Sequence, residues 1–338
     1  MNLKKELINI TAEYFEATIN FEKLTEASKK YKKLLNDLSN IEIDNEIGRQ
    51  DIELENGKAL GTFWAASCID DMVRTKKFIK GIDEAIQEKI KKNKSLHILY
   101  AGTGPFASLM LPIILRYSSH NIKYTLLEIN PLSFKILSSI IQKLGLETYN
   151  IQLVNEDATK YKVDTSIPDI IVSETMQNGL DKEQQVVIFY NLMSQAKLDT
   201  IFIPEKIELF IGLKESKIPA EKLQYKHFHK QHKVFELSKN TLSFKKWNSN
   251  NSINKLTFPQ IQTILKKNTL KKFNQVVLIT EISIFNNKKI SFNESGLTIP
   301  KYLSNINHNI TNSLIINSQY IINPEPRLKF EINPQKLN

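Results

Sequence analysis

The chain has 338 residues, 41% of them apolar and 24% charged, with a formal net charge of +10. That composition belongs to a folded protein with a sizeable core, and excludes a collagen-like repeat and a disordered tail. The single cysteine, Cys68, excludes a disulfide framework and any metal site needing more than one thiolate.

Residues 1–40 read as helix, with Leu3, Ile8, Ile10, Tyr14, Phe15, Ile19 and Leu24 near a 3.6-residue period. Glu6, Glu13 and Glu16 interrupt this start, so it reads as neither a secretory signal nor a membrane span, and a cytoplasmic location is expected. A polar, acidic stretch follows from Asn40 to Gly57, and the helical pattern resumes from Leu60 to Ile90. Leu96–Tyr100 is a short apolar strand running into Ala101-Gly102-Thr103-Gly104-Pro105, followed by a helix-like run to Tyr117. Tyr124–Ile129, Ile151–Val154, Asp169–Ser173 and Thr200–Ile203 read as further strands. Pro131–Leu144, ending at Gly145, and Gln184–Ala196 read as helices. This alternation predicts an α/β fold with a parallel sheet. Beyond Pro204 strand patterns dominate, at Ile207–Leu213, Val234–Leu237, Leu242–Phe244, Val276–Phe285, Ile290–Phe292, Ser313–Ile316 and Leu328–Ile332, with Lys255–Lys272 as a helical insert.

The charge is unevenly spread. Residues 1–205 hold 25 Lys+Arg against 28 Asp+Glu, whereas residues 206–338 hold 21 against 8. The excess is lysine scattered among asparagine and isoleucine, which favours solvated lysines over a nucleic-acid surface. His227, His229 and His232 in this half read as solvated too, and no His/Cys/Asp spacing suggests a metal. Cys68, in an apolar run, reads as a buried structural cysteine, and Phe63 and Trp64 as core residues that could also border a ligand.

Gly102, Thr103 and Gly104 form a strand-to-helix turn where a ligand can approach the backbone and a helix N-terminus offers amides. Glu128 closes the second strand 24 residues after Gly104, where an acid can accept from both ribose hydroxyls. Two cofactor classes use this layout, a dinucleotide and S-adenosylmethionine (SAM). Asp157, after the third strand, is placed to accept from an adenine amine or to start a turn. Glu174 follows the fourth strand, and Asn178-Gly179 predicts a turn that would return Glu183 to the same mouth of the sheet. Two carboxylates sharing a mouth repel unless a cation lies between them, and a planar guanidinium fits. Glu183 could equally just begin the following helix, where an acid complements the dipole.

The stretch Ser173–Glu183, with Ser-Glu-Thr-Met and a second glutamate nine positions after the first, resembles the double-glutamate loop of protein arginine methyltransferases. Asp71-Met72-Val73-Arg74-Thr75 is similar to that family's helix motif, and Ile203-Pro204-Glu205 to its exit from the sheet. The resemblance implies an N-terminal helical cap over residues 1–95, a Rossmann-like SAM-binding domain over 96–205, and a β-barrel or β-sandwich domain over 206–338. It implies SAM as cofactor, with Arg74 on its carboxylate, Gly102, Thr103 and Gly104 under its backbone, Glu128 on the ribose, Asp157 and Ala158 at the adenine, and Met176 near the sulfonium. Glu174 and Glu183 would clamp the methyl acceptor. Tyr100 stands where the family has Asp, Phe106 stands at its third glycine position, and its Thr-His-Trp barrel loop has no counterpart. The acceptor expected is therefore free L-arginine or a small guanidine, as in bacterial arginine methyltransferases of natural-product biosynthesis. A homodimer is implied, with Lys255–Lys272 as its arm. The alternatives are an arginine-containing peptide, another amine or an oxygen acceptor, a non-enzymatic SAM-binding module, and an NAD-dependent oxidoreductase.

Overall fold

The computed structural model describes residues 2–118, 120–215, 218, 222, 224–241, 256–307 and 313–335. The N-terminal helical reading divides in two. Helix α1 (Leu3–Thr11) ends in a single 3-10 turn, and α2 (Phe21–Ser39) restarts at Asn20, whose side chain accepts from the Lys23 amide. An Asn at this position is an N-cap, so it interrupts the apolar period rather than continuing it. The acidic stretch contains one short helix, α3 (Glu46–Arg49), and a hairpin that sequence reading missed, β1 (Ile52–Leu54) with β2 (Gly57–Ala59). Helices α4 (Thr62–Ser67) and α5 (Met72–Ile90) follow. Along α5, Phe78, Ile79, Ile82, Ala85 and Ile86 are fully buried at 3- and 4-residue spacing, as a one-sided helix requires.

The central sheet is parallel, in the order β5–β4–β3–β6–β7. Its strands are β3 (Leu96–Ala101), β4 (Ile122–Leu127), β5 (Ile151–Val154), β6 (Ile170–Ser173) and β7 (Ile201–Ile203). Strands β3 and β6 are buried along their whole length, which is why they read as mostly apolar runs, with His97 and Ser173 as the polar exceptions. Helices α6 (Leu111–Arg116), α7 (Pro131–Lys143) and α8 (Gln185–Ser194) make the connections. The helix expected directly after the glycine turn begins only at Leu111, because Gly104 to Met110 is a succession of turns. The chain winds outward from β3 to β5, then returns to β6 on β3's other side. The crevice at that reversal is where open α/β sheets hold ligands.

After β7 the chain is antiparallel. One sheet runs β12–β11–β8–β9, with β13 also on β11; a second runs β10–β14–β15. The strands are β8 (Lys206–Glu215), β9 (Phe228–Leu237), β10 (Ile261–Lys266), β11 (Phe273–Phe285), β12 (Lys288–Ile290), β13 (Lys301–Asn305), β14 (Ser313–Ile321) and β15 (Arg327–Gln335). The helical insert expected at Lys255–Lys272 is not helical. Ile261–Lys266 pairs with β14 in register Ile261–Ser318 to Lys266–Ser313, and only Lys267–Leu270 makes a helical turn. Tertiary pairing overrides the local period there. The strand expected at Leu242–Phe244 lies outside the described residues. Among the described residues, no helix is long and apolar enough to cross a membrane.

Candidate active site

The residues singled out in the sequence hang from the carboxyl ends of four strands: Gly102–Gly104 from β3, Glu128 from β4, Asp157 and Ala158 from β5, and Glu174 and Met176 from β6. Together with Arg74 and Glu183 they line one open cavity. The residues chosen from the sequence thus share one cavity.

The glycine turn is built tightly. Gly102 has φ +75°, and a Cβ there would stand 2.2 Å from Thr175 Cγ2. Its amide donates to Leu127 O at 2.8 Å, the Thr103 amide to the same oxygen at 3.3 Å, and the Gly104 amide to Glu128 Oε2 at 2.7 Å. The amides expected to await an anion are thus bonded to the end of β4, and no helix begins there. Glu128 also accepts from the Asn130 amide through Oε1 at 2.8 Å, and burial raises its pKa against the pull of these amides. Asp157 accepts from the amide and hydroxyl of Thr159 at 2.8 and 2.7 Å, so it makes a local turn while lining the cavity.

Glu174 and Glu183 are brought to one mouth by a loop held at both ends. Gln185, the first residue of α8, accepts from the Thr175 amide at 2.9 Å and the Thr175 hydroxyl at 3.1 Å, and donates to Ser173 O at 3.1 Å. The turn between the acids has Gly179 at φ +75°, and two non-glycine residues, Leu180 and Lys182, also have positive φ. Such backbone persists where its surroundings hold it. Here Tyr320 Oη donates to Leu180 O at 2.7 Å, the Lys182 amide to Pro326 O at 2.7 Å, and the Lys58 amide to Lys182 O at 2.8 Å. Asn178 accepts from the Thr280 hydroxyl at 3.2 Å and donates to Ile299 O. Glu183 precedes α8 by two residues, so it lies at the helix start and in the cavity at once.

Arg74 is buried and pairs with Glu174, Nη1 to Oε2 at 2.8 Å, while Nη2 donates to Cys68 O at 2.8 Å. Arg74 Nε and Glu174 Oε1 are buried without a partner. Burial pushes Glu174 up to about 7 despite the Arg74 charge. Glu183 rises to about 8, by burial first and then by repulsion from Glu174. Asp71 caps α5 by accepting from the Arg74 amide at 3.2 Å, and its second oxygen accepts from Ser295 Oγ at 2.6 Å and the Gly296 amide at 3.1 Å. The C-terminal sheets therefore brace both the arginine helix and the glutamate loop.

Two sequence expectations change. Cys68 is a half-buried residue on the cavity wall, with Sγ 3.5 Å from Trp64 O, rather than a core cysteine. Trp64 is 43% exposed, held by Nε1 on Arg49 O at 3.0 Å and by the Arg49 guanidinium over its ring. Lys58, Gln185 and Ser295 were missed; a lone Lys, Gln or Ser in a polar run carries no pattern that would find it. The histidines hold local partners, His229 Nε2 on Glu215 at 3.1 Å and His232 Nδ1 on Thr263 Oγ1 at 3.0 Å. No cluster of three metal-binding side chains occurs among the described residues.

No protein-family model and no curated protein matches the chain. Its fold is similar to that in the solved structure of the Trypanosoma brucei PRMT1 enzyme–prozyme heterotetrameric complex with AdoHcy, with a TM-score of 0.53. The identity is 11%, and the match covers 80% of this chain and 92% of that one, so the likeness is one of fold.

Proposed function

We propose that the chain is a SAM-dependent N-methyltransferase acting on a guanidino nitrogen of arginine, with free L-arginine or a small arginine-like metabolite as acceptor rather than a protein. The observation that carries this reading is the pair of buried carboxylates, Glu174 and Glu183, on one cavity, with Glu174 Oε1 lacking any partner. A buried carboxylate oxygen without a partner calls for a donor, and a cation beside a second acid supplies one. A guanidinium is planar, permanently charged and has five donors. Glu174 Oε2 already receives one such group, that of Arg74. The fold likeness to a PRMT1 complex with AdoHcy supports the same reading.

The residues present fit SAM. Arg74 keeps an unpartnered buried Nε for a carboxylate, and Glu128, though held by two amides, retains lone pairs for ribose hydroxyls. Gly102, Thr103 and Gly104 would underlie it, Asp157 and Ala158 would meet the adenine, and Met176 would pack near the sulfonium. When bound, SAM supplies an electrophilic methyl carbon. The chain's own residues orient the acceptor. Two carboxylates gripping one guanidinium draw its charge toward the bound nitrogens and leave a terminal nitrogen more nucleophilic. Values of about 7 and about 8 also suit either acid to take the proton released on transfer near neutral pH. For a dinucleotide the turn has less to offer, since the Gly102, Thr103 and Gly104 amides are already bonded.

The test is a mass-spectrometric screen of arginine, small guanidines and arginine-rich peptides with SAM. A mass gain of one methylene on a guanidine supports the proposal; methylation confined to amines or hydroxyls, or none at all, overturns it. Cytoplasmic location and a homodimer belong to the same proposal, the latter checked by sedimentation.

A further inference from the structure

The cavity carries a second cation. Its lining includes five acids, Glu128, Glu156, Asp157, Glu174 and Glu183, but only two basic side chains, Arg74 and Lys58. Arg74 has Nη1 and Nη2 engaged. Lys58 sits on hairpin β1–β2, which roofs Glu183: Lys58 and Glu183 form a backbone bridge, and a Cβ on Gly57 would lie 2.8 Å from Lys182 O and 3.2 Å from Pro326 Cγ. The hairpin thus packs directly on the glutamate loop. The Lys58 ammonium has three donors and, among the described residues, bonds one side chain, Asp51, which the Gly61 amide fixes through its other oxygen at 2.8 Å. Lys58 is one-fifth exposed, so its charge is only partly screened.

With one donor on Asp51, the ammonium keeps two donors that suit an anionic group of a bound molecule. A guanidine that also brings a carboxylate supplies that group. Resting on the arginine methyltransferase reading, we infer that Lys58 is a specificity-determining residue that receives the α-carboxylate of a free amino-acid acceptor while Glu174 and Glu183 hold its guanidinium. The acceptor class is then a zwitterionic guanidino amino acid, and an arginine inside a peptide lacks the carboxylate that Lys58 would receive.

The experiment compares L-arginine with agmatine, its decarboxylated form, in the wild type, Lys58→Met and Lys58→Arg. A charge-assisted contact corresponds to about a 10- to 100-fold preference. The wild type is expected to prefer arginine by that factor in kcat/KM, mainly through KM. Lys58→Met is expected to collapse the preference and Lys58→Arg to restore most of it. Calorimetry of both guanidines in the presence of S-adenosylhomocysteine should give the same ratios as affinities. The wild-type comparison needs no variant, so a misfolded Lys58→Met leaves the inference testable. Equal use of the two guanidines by the wild type, or a preference that survives Lys58→Met, overturns the role of Lys58 while leaving guanidine methylation standing. Failure to methylate either guanidine overturns the parent proposal and this one with it.

Discussion

Replacing Glu183 by glutamine should make the protein more stable in alkaline solution. Burial and the charge of Glu174 lift the Glu183 carboxyl from 4.5 to about 8. Between those values the unfolded chain has lost this proton and the folded chain keeps it. The unfolded state then binds fewer protons, so stability falls as pH rises. Each unit corresponds to about 1.4 kcal/mol, so three and a half units make the loss about 5 kcal/mol by the time the pH passes 8. Glutamine keeps the shape of the protonated acid and has no proton to lose. Urea denaturation followed by circular dichroism, on protein without added ligand, should give near-equal stabilities at about pH 5 and a variant advantage approaching 5 kcal/mol at about pH 9. Activity should be lost in the same variant. If the two stability curves run parallel from acid to alkali, Glu183 is not held protonated in the fold and the electrostatic account of the loop is wrong.

Turnover should follow the same protons. A guanidinium needs ionised carboxylates, so kcat/KM should climb through the pair's values of about 7 and about 8 and level off beyond; a flat profile from acid to alkali would contradict it. Glu174→Gln should lower kcat by about 100- to 1,000-fold while calorimetry still registers SAM binding, and unchanged turnover would remove Glu174 from the site chemistry. Gln185→Leu removes three hydrogen bonds at Ser173 and Thr175 and strands their buried backbone groups, an expected cost of about 2–4 kcal/mol in thermal or urea melts together with a raised KM. Gly102→Ala meets Thr175 Cγ2 at 2.2 Å and a φ of +75°, and should abolish SAM binding by calorimetry, whereas Gly104→Ala has Ala65 Cβ at 3.5 Å and only its φ of +62° to contend with.

The parallel sheet was legible because its strands are short, mostly apolar runs separated by helical stretches, the alternation that βαβ units produce. The site was legible because strand ends and glycines mark where ligands lie, and every residue chosen on that basis lines one cavity. What escaped notice has no sequence period. Strands β1 and β2 are three residues each within an acidic run, too short to alternate. Strand β10 carries Ile261, Ile264 and Leu265 at helical spacing, yet its fate is set by pairing with β14, more than fifty residues downstream. Gln185 looks like any residue at a helix start; its three bonds exist only once the loop has returned.

The carbonyl of Leu180 and the amide of Lys182 are held by Tyr320 and Pro326, close to the carboxyl end of the chain. These two partners lie on strand β14 and in the turn after it, so the shape of the glutamate loop depends on the antiparallel half as much as on the parallel sheet. Damage confined to that distant turn would reach both acids without touching the cavity wall.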